Sequence, residues 1–323
     1  MRTFTLPLIS LCLMALFSIV TPSLGHSAPP RFGGQTMTLL TTEPEDSQSS
    51  ALYRLFPSFL ERISPDSLTL EYVPGLGGAK AWQTLQRRRI DGSQLAAVTF
   101  PAFLLKPLAK ESYFTPSMTT PICIVASAPL GLWVTDTSPI HDIAGLLERI
   151  KSDNQHAYLS GVGSFTAHHM ATLLFNRATG ITTDYLPYLG SAEASYAVHN
   201  NQAIAAWGSA THDSLMPNMR LIAVAGNSRS PIYPHVPTLN EAGVLMEISE
   251  QYGIALPAKC PEETKQVASD LFITMATNEA FVKKAYALGF SITPAGYKDM
   301  EDLLAQQEVA LKNFLEHFLF MSF

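Results

Sequence analysis

Residues 161–180 read GVGSFTAHHMATLLFNRATG and join the signals of a strand, a turn and a helix. A predicted strand ends at Leu159, a glycine-spaced turn covers residues 161–164, and an apolar helical pattern runs from Thr166 to Gly180. A turn between a strand and a helix start gathers free backbone N–H groups and the positive end of the helix dipole at one point. The stretch therefore predicts a place where an anion is bound.

Strand and helix patterns alternate along the rest of the chain, which is typical of an α/β fold with mainly parallel sheets. After an apolar run at 37–40, strands are predicted at 68–73, 95–100, 122–126, 130–135, 157–159, 185–187, 203–207, 221–225 and 253–256. Helices are predicted at 52–63, 79–89, 141–151, 193–199, 262–278, 279–288 and 298–318, and residues 101–120 are predicted to be irregular.

The alternation falls into two sets of similar content, which predicts two lobes. Lobe I is expected to comprise residues 34–125 plus 252–323, and lobe II residues 126–251. Apolar stretches near 122–129 and 250–257 would cross between the lobes, each of which is expected to be a mostly parallel sheet flanked by helices. Ligands of open α/β sheets bind at the carboxyl ends of the strands, so the loops are expected to converge on one cleft.

The chain begins with the pattern of an export signal. Residues 1–20 have one basic residue and a short apolar run, and Thr21, Pro22 and Ser23 then break the run. This predicts a cleavable signal peptide at 1–28 and a periplasmic protein, because the run is too short for a membrane anchor. Removal of Arg2 changes the formal charge from −6 to −7, and no basic stripe indicates nucleic acid as a partner.

The sequence shows no pattern that predicts an enzyme, a cofactor or a metal site. The order Gly-x-Ser-x-Gly of a nucleophile elbow is missing, and the adjacent histidines His168 and His169 point to different sides of a helix. Two cysteines, Cys123 and Cys260, remain after the signal peptide, and they could either pair or stay free.

Each candidate contact for a ligand also has an ordinary structural explanation. Ser164 and Thr166 could hold a carboxylate or only cap a helix. His169 could contact the ligand or merely fasten the first helical turn. The loop from Tyr188 to Ser191 could supply an aromatic ring that lines the ligand site and N–H groups that donate to the ligand. It could also be only a tight turn.

Five segments carry motifs that occur together in one family. In chain order they are Pro74-Gly75-Leu76-Gly77-Gly78-Ala79 with Asp91-Gly92; residues 161–180; Leu186-Pro187-Tyr188-Leu189-Gly190-Ser191-Ala192; Arg229-Ser230-Pro231 with Pro234-His235-Val236-Pro237-Thr238-Leu239-Asn240-Glu241-Ala242-Gly243; and Leu256-Pro257-Ala258 with Pro261 and Ala287-Leu288-Gly289. The order and the specific fourth segment resemble the solute-binding proteins of tripartite tricarboxylate transporters, the Bug or TctC family.

The resemblance implies a two-lobed periplasmic binding protein of type II (Venus-flytrap). It implies a monomer that closes on a small organic carboxylate and delivers it to a membrane permease with a large and a small subunit. Together with the residue patterns, it predicts a ligand site made by Thr41, Thr42, Ser47, Gly77, Thr99, Gly163, Ser164, Thr166, His169, Tyr188, Gly190 and Ser191.

The chain departs from the family pattern in the first loop, where glycines and an aspartate are usual. Here Glu43, Glu45 and Asp46 are present, and Ser50 stands at the position of the aspartate. Such a run of acidic residues is found more often in an exposed polar loop. The carboxylates could instead recognise the ammonium of an amino acid, or an amide. A binding protein of the same fold that presents its ligand to a sensor, rather than to a transporter, remains an alternative.

Overall fold

The computed structural model describes residues 33–110, 114–152 and 157–319, so the predicted signal peptide lies outside the described residues. The strands are β1 Thr36–Thr41, β2 Ser67–Tyr72, β3 Gln94–Phe100, β4 Thr119–Thr135, β5 Tyr158–Val162, β6 Asp184–Tyr188, β7 Ala205–Ser209, β8 Met219–Val224, β9 Ser249–Pro257 and β10 Ser291–Ala295. The helices are α1 Gln48–Tyr53, α2 Phe56–Ile63, α3 Ala79–Leu85, α4 Ala102–Leu108, α5 Ile143–Ser152, α6 Ala167–Thr179, α7 Ser191–His199, α8 Glu262–Ala276, α9 Glu279–Ala287 and α10 Tyr297–Leu319.

The two predicted lobes are present, and one long strand joins their sheets. The sheet of lobe I has the order β2-β1-β3-β9-β4, with β10 on the other side of β4. The second half of β4 continues into lobe II, where it pairs with β7 and β8, and β7 is followed by β5 and β6. The α/β two-lobed prediction is therefore confirmed.

Two details of the sheets differ from the prediction. The stretches 122–126 and 130–135 are parts of the single strand β4, because the residues between them pair with β9 from Ser127↔Gln251 to Pro129↔Ser249. The sheets are also mixed rather than mainly parallel. Among the described strands, the pairs among β1, β2 and β3 and among β5, β6 and β7 are parallel, whereas β4 and β9 run against their neighbours.

Local details of the helices also correct the sequence prediction. The helix expected at 52–63 is two helices, α1 and α2, and the second begins with a proline at its first turn. The helix expected at 79–89 ends at Leu85. The stretch 101–120 was predicted to be irregular, but it contains α4, which tolerates Pro107 near its end. The short strand β10 was missed because it presents only two partly buried apolar residues, Ile292 and Ala295, and they are not adjacent in the alternating pattern of a strand.

Each lobe has its own hydrophobic core. The core of lobe I is rich in aromatic rings, and Phe56 packs edge-on against Phe281 at a centroid distance of 5.7 Å. In lobe II, Trp207 and Phe175 pack together at 6.0 Å. The core residues on β4 change lobe between Ala128 and Leu130. Among the described residues, no helix is both long and apolar enough to cross a membrane.

Candidate functional site

The lobes meet through loops at the carboxyl ends of their strands, and glycines allow the backbones to touch. Gly163 follows β5 with φ +63°, and a Cβ atom on it would lie only 2.6 Å from the Cα of Gly77 in lobe I. A Cβ on Gly190 of lobe II would lie 2.9 Å from the Cδ of Pro44. The structure therefore shows the lobes in contact, with no room for larger residues at these two points.

Gln48, the first residue of α1, connects lobe I to lobe II. Its side-chain amide accepts a hydrogen bond from Ser209 N–H at 3.0 Å and donates to Ser209 O at 2.8 Å and to Thr211 Oγ1 at 2.8 Å. Its backbone N–H donates to Ser191 Oγ at 3.0 Å. The amide thus pairs with the end of β7 much as a neighbouring strand would.

A cavity of about 380 Å³ opens where the turn before α3 faces the turn before α6. Four predicted site residues line it, namely Gly77, Gly163, Ser164 and Tyr188. The lining also includes Lys106 of α4 and Glu193 of α7. A volume of this order suits a small metabolite.

Lys106 brings a positive charge to this cavity. Its side chain is only 3% exposed, and Nζ donates a hydrogen bond to the carbonyl oxygen of Ser164 in lobe II. A Cβ on Gly77 would lie 2.9 Å from the same Nζ atom. A buried ammonium beside two glycine turns can attract a carboxylate more strongly than an exposed one, because solvent screens it less.

A larger cavity of about 820 Å³ lies between the first loop of lobe I and α7 of lobe II. Glu45, Asp46 and Arg54 line it from lobe I, and Tyr196 and His199 line it from lobe II. None of the predicted site residues is among the described residues of its lining. Because the motif residues surround the smaller cavity, we place the candidate site there.

The remaining predicted residues of lobe I lie at the carboxyl ends of strands without lining the cavity. Ser47 caps α1, since its Oγ accepts from Ser50 N–H at 3.3 Å. Thr41 Oγ1 donates to Glu43 O at 3.4 Å, and Thr99 lies buried on β3 opposite Tyr252. Thr42 is 3% exposed.

The remaining predicted residues of lobe II shape its turns. Thr166 occupies the N-cap position of α6, but its hydroxyl donates to Val162 O at 2.7 Å and makes no side-chain cap. The hydroxyl of Thr166 therefore makes no hydrogen bond to the free N–H groups at the start of α6. Gly190 and Ser191 lie at the start of α7 and contact lobe I through Pro44 and Gln48.

His169 fastens the first turn of α6. Its Nδ1 accepts a hydrogen bond from Phe165 N–H at 3.2 Å, and its ring stacks on Tyr185 with the centroids 4.8 Å apart. Burial, together with the positive charge of Lys106, lowers the pKa of His169 to about 4. The imidazole is therefore neutral near pH 7, which suits its role as a hydrogen-bond acceptor.

A second group of charges is buried where the first loop meets β9 and α6. Glu250 Oε2 lies 3.5 Å from His168 Nε2, 2.9 Å from Tyr252 OH and 3.3 Å from Ser209 Oγ. Burial would lower the pKa of His168, but Glu250, Glu43 and the carbonyl of Trp207 together outweigh it and raise this pKa. Burial would raise the pKa of Glu250, but His168 and the hydroxyls of Tyr252 and Ser209 together lower it. The two side chains therefore form a buried ion pair.

Glu43 joins this group from the first loop, so the prediction that the acidic run is exposed is wrong for this residue. Glu43 is 8% exposed, whereas Glu45 and Asp46 are exposed as predicted. Burial, and then the negative charge of Glu250, raises the pKa of Glu43 to about 7. Ser49, His168 and Ser47 act in the opposite direction and are too weak to cancel this shift.

Replacing Glu43 with glutamine is expected to make the protein more stable at pH 8 but not at pH 4. The pKa of Glu43 is higher in the folded than in the unfolded state, so its contribution is complete below pH 4.5 and is lost as the pH rises to about 7. From this difference we expect Glu43→Gln to raise the free energy of unfolding at pH 8 by about 3 kcal/mol. Urea titrations at both pH values measure the change, and an equal change at both would contradict it.

The two cysteines among the described residues are free, so they do not form the pair that the sequence left open. Cys123 and Cys260 are buried, and burial raises the pKa of the Cys123 thiol to about 12. No group of three or more potential metal ligands lies close together in the part of the chain that the structure describes.

The predicted site residues did not include four residues that connect the lobes or carry a charge near the site, namely Gln48, Lys106, His168 and Glu250. Lys106 lies in a proline-spaced segment that gave no helical signal, and Glu250 lies at the start of an otherwise apolar strand. A Cβ on Gly208 would lie 2.8 Å from Gln48 Oε1, so glycine leaves room for the amide.

Comparisons with known proteins show relatives in sequence and proteins of the same fold. The chain is 24% identical over 263 residues to the UPF0065 protein in the gbd 5′ region of Cupriavidus necator, covering 78% of this chain and 80% of that protein. An R. palustris protein solved with adipate superposes with a TM-score of 0.81 at 20% identity, covering 88% of this chain and 97% of that one. The periplasmic binding protein BugD superposes at 0.79 and 19% identity over the same shares.

The family described as "Tripartite tricarboxylate transporter family receptor" matches residues 60–317. This span contains the turn at Gly77, the turn at Gly163, Lys106 and the long strand β4 that joins the lobes. The chain is therefore a member of the tripartite tricarboxylate transporter receptors, the family of solute-binding proteins called TctC or Bug.

Proposed function

We propose that this protein captures a small organic carboxylate between its lobes and delivers it to a tripartite tricarboxylate transporter permease. The observation that carries the proposal is the position of Lys106, a buried cation of lobe I that reaches Ser164 of lobe II at the wall of the cavity. A related protein was solved with adipate, a dicarboxylate, which supports the same class of solute.

The binding energy of such a solute would be divided between the lobes. The ammonium of Lys106 and the turn at Gly77 face it from lobe I, and the turn at Gly163 and Ser164 faces it from lobe II. A solute that contacts both lobes binds the closed form better than the open form, and it therefore shifts the population toward closure.

Replacing Lys106 with methionine is expected to weaken carboxylate binding about 10–100-fold, which is the loss of one charge-assisted hydrogen bond. Methionine keeps most of the length of the apolar stem but has no charge. Lys110→Met is the matched control, because Lys110 is exposed just beyond the end of α4. The measurement is calorimetric titration with mono-, di- and tricarboxylates found by thermal shift. Equal affinity in both variants would contradict the role of Lys106.

The remaining parts of the proposal concern location and delivery. We propose that residues 1–28 direct export and that the protein works in the periplasm, as the periplasmic binding protein BugD of the same fold does. We also propose that it is a monomer. We also propose the boundaries 34–125 plus 252–323 for lobe I and 126–251 for lobe II, which lie within a few residues of the change of core along β4 between Ala128 and Leu130. Uptake of a labelled solute by cells with and without this chain tests delivery to the permease.

A further inference from the structure

A carboxyl group of lobe I, that of Glu43, is buried where lobe II covers the first loop. Its strongest charged neighbours are Glu250, near the start of β9, and His168, in α6 of lobe II. The next residue, Pro44, lies so close to lobe II that a Cβ on Gly190 would be 2.9 Å from its Cδ. Residues of lobe II therefore help to keep Glu43 away from water, and opening of the lobes would expose it.

The charges around Glu43 do not balance. Among the described residues His168 is the cation that acts on it, and that imidazole lies 3.5 Å from Glu250. Glu250 also accepts hydrogen bonds from Tyr252 and Ser209. An ionised Glu43 would therefore place a second buried carboxylate beside one imidazolium, which is costly. The closed form avoids this cost when Glu43 carries a proton.

Most of the other ionisable groups that face Glu43 keep one protonation state near neutral pH. Burial raises the pKa of three tyrosines well above its ordinary value, so they stay neutral, namely Tyr53 of α1, Tyr185 of β6 and Tyr252 of β9. Although burial would raise the pKa of Glu250, His168 and two hydroxyl groups lower it overall, so this carboxylate stays ionised. Glu43 and His168 are the members of this cluster that can change protonation near pH 7.

We propose that Glu43 is a proton-dependent switch between the lobes: closure takes up a proton on Glu43, and loss of that proton favours the open form. The inference rests on the proposed function in one respect, because solute binding is taken to require closure. Capture of the solute would then be favoured in a slightly acidic medium, and its release would be favoured as the pH rises.

The sign of the pH dependence follows from the two environments of Glu43. In the closed form, burial and then the negative charge of Glu250 raise its pKa to about 7. In the open form the first loop would face water, and the carboxyl would return toward its ordinary pKa of 4.5. Between these two values the closed form binds the extra proton and gains stability as the pH falls. The ratio of closed to open molecules is therefore expected to rise about tenfold from pH 8 to pH 6.

The first test is small-angle scattering of the chain without its predicted signal peptide, at pH 6 and pH 8 and without solute. We expect the wild type to have a larger radius of gyration at pH 8. Glu43→Gln cannot ionise, so it should stay as compact at pH 8 as at pH 6. Glu45→Gln is the matched control, because Glu45 is an exposed carboxylate of the same loop, and it should expand as the wild type does. The same series in a Gln48→Ala background, which lacks the hydrogen bonds of Gln48 between the lobes, keeps the change measurable if the wild type is closed at both pH values.

The second test measures solute affinity. Calorimetric titration with those mono-, di- and tricarboxylates that raise the melting temperature should give dissociation constants up to about tenfold lower at pH 6 than at pH 8, since closure is then easier. In Glu43→Gln the two pH values should give equal constants, whereas Glu45→Gln should behave as the wild type does.

The results that would overturn the inference leave the proposed function testable. If neither the wild type nor Gln48→Ala expands as the pH rises, Glu43 is not a switch, and carboxylate capture stands wherever an acid binds. If Glu43→Gln expands as the wild type does, the proton is held by another group, with His168 the nearest, and the role of Glu43 is wrong. If the radius changes as expected but no acid binds the wild type, the switch stands and the proposed function fails. Circular dichroism at both pH values shows whether an expansion is opening rather than unfolding.

Discussion

Replacing Gly163 with alanine is expected to weaken solute binding at least 100-fold, because the new methyl group would hold the lobes apart. Its Cβ would lie 2.6 Å from Gly77 Cα and 3.1 Å from Gly77 N, and backbone atoms cannot move aside as the end of a side chain can. The φ of +63° adds a strain of about 1 kcal/mol for a residue with a side chain. Calorimetric titration measures the loss, and small-angle scattering with saturating solute should show a more open protein.

Gly180→Ala is the matched control for this variant. Gly180 ends α6 with φ +68°, so alanine brings a similar strain there, but nothing lies within 4 Å of the added atom. It should lower the free energy of unfolding by about 1 kcal/mol and leave the dissociation constant unchanged. If Gly163→Ala binds solute as tightly as Gly180→Ala does, the contact with Gly77 is not needed for closure.

Replacing Gln48 with alanine is expected to favour the open form and to weaken solute binding about 30–100-fold. In the closed form the truncation leaves the N–H and C=O of Ser209 without their partner, whereas in the open form water can reach them. The unpaired buried groups cost about 2–3 kcal/mol, and this cost falls on the closed form alone. We expect a larger radius of gyration by small-angle scattering without solute, and a smaller one once solute saturates the protein.

Gln86→Ala is the control for Gln48→Ala, because the amide of Gln86 donates only within lobe I, to Thr115 O at 2.9 Å and Thr119 Oγ1 at 3.2 Å. It can lower stability, but it should change neither the radius of gyration nor the affinity. An unchanged radius of gyration and affinity in Gln48→Ala would show that the amide does not hold the lobes together.

The two variants also separate two contributions to closure. Gly163 and Gly77 permit the backbones to approach, while Gln48 adds directional hydrogen bonds once they have approached. A ligand-free protein that already has such bonds needs less energy from its solute to close, and the closed form is then more populated at rest.

The sequence alone predicted most of the strands and helices, although not α4 and β10, together with the two lobes and the turn before α6. These depend on residue spacing over a few positions, such as the apolar period before Gly180 and the glycine that ends the helix in the left-handed conformation. The motif residues Gly77, Gly163, Ser164 and Tyr188 also lie together at the cavity, as expected for loops at the carboxyl ends of strands.

Only the tertiary structure decided which charges are buried and what faces them. Gln48 and Ser209 are separated by 161 residues, and no local pattern shows that they pair. In the same way Glu43 has the neighbours of an exposed acidic loop in the sequence, but in the fold it is buried near His168 and Glu250. Burial and charge balance depend on contacts between distant segments, so the sequence determined the scaffold and the tertiary structure determined the electrostatics of the site.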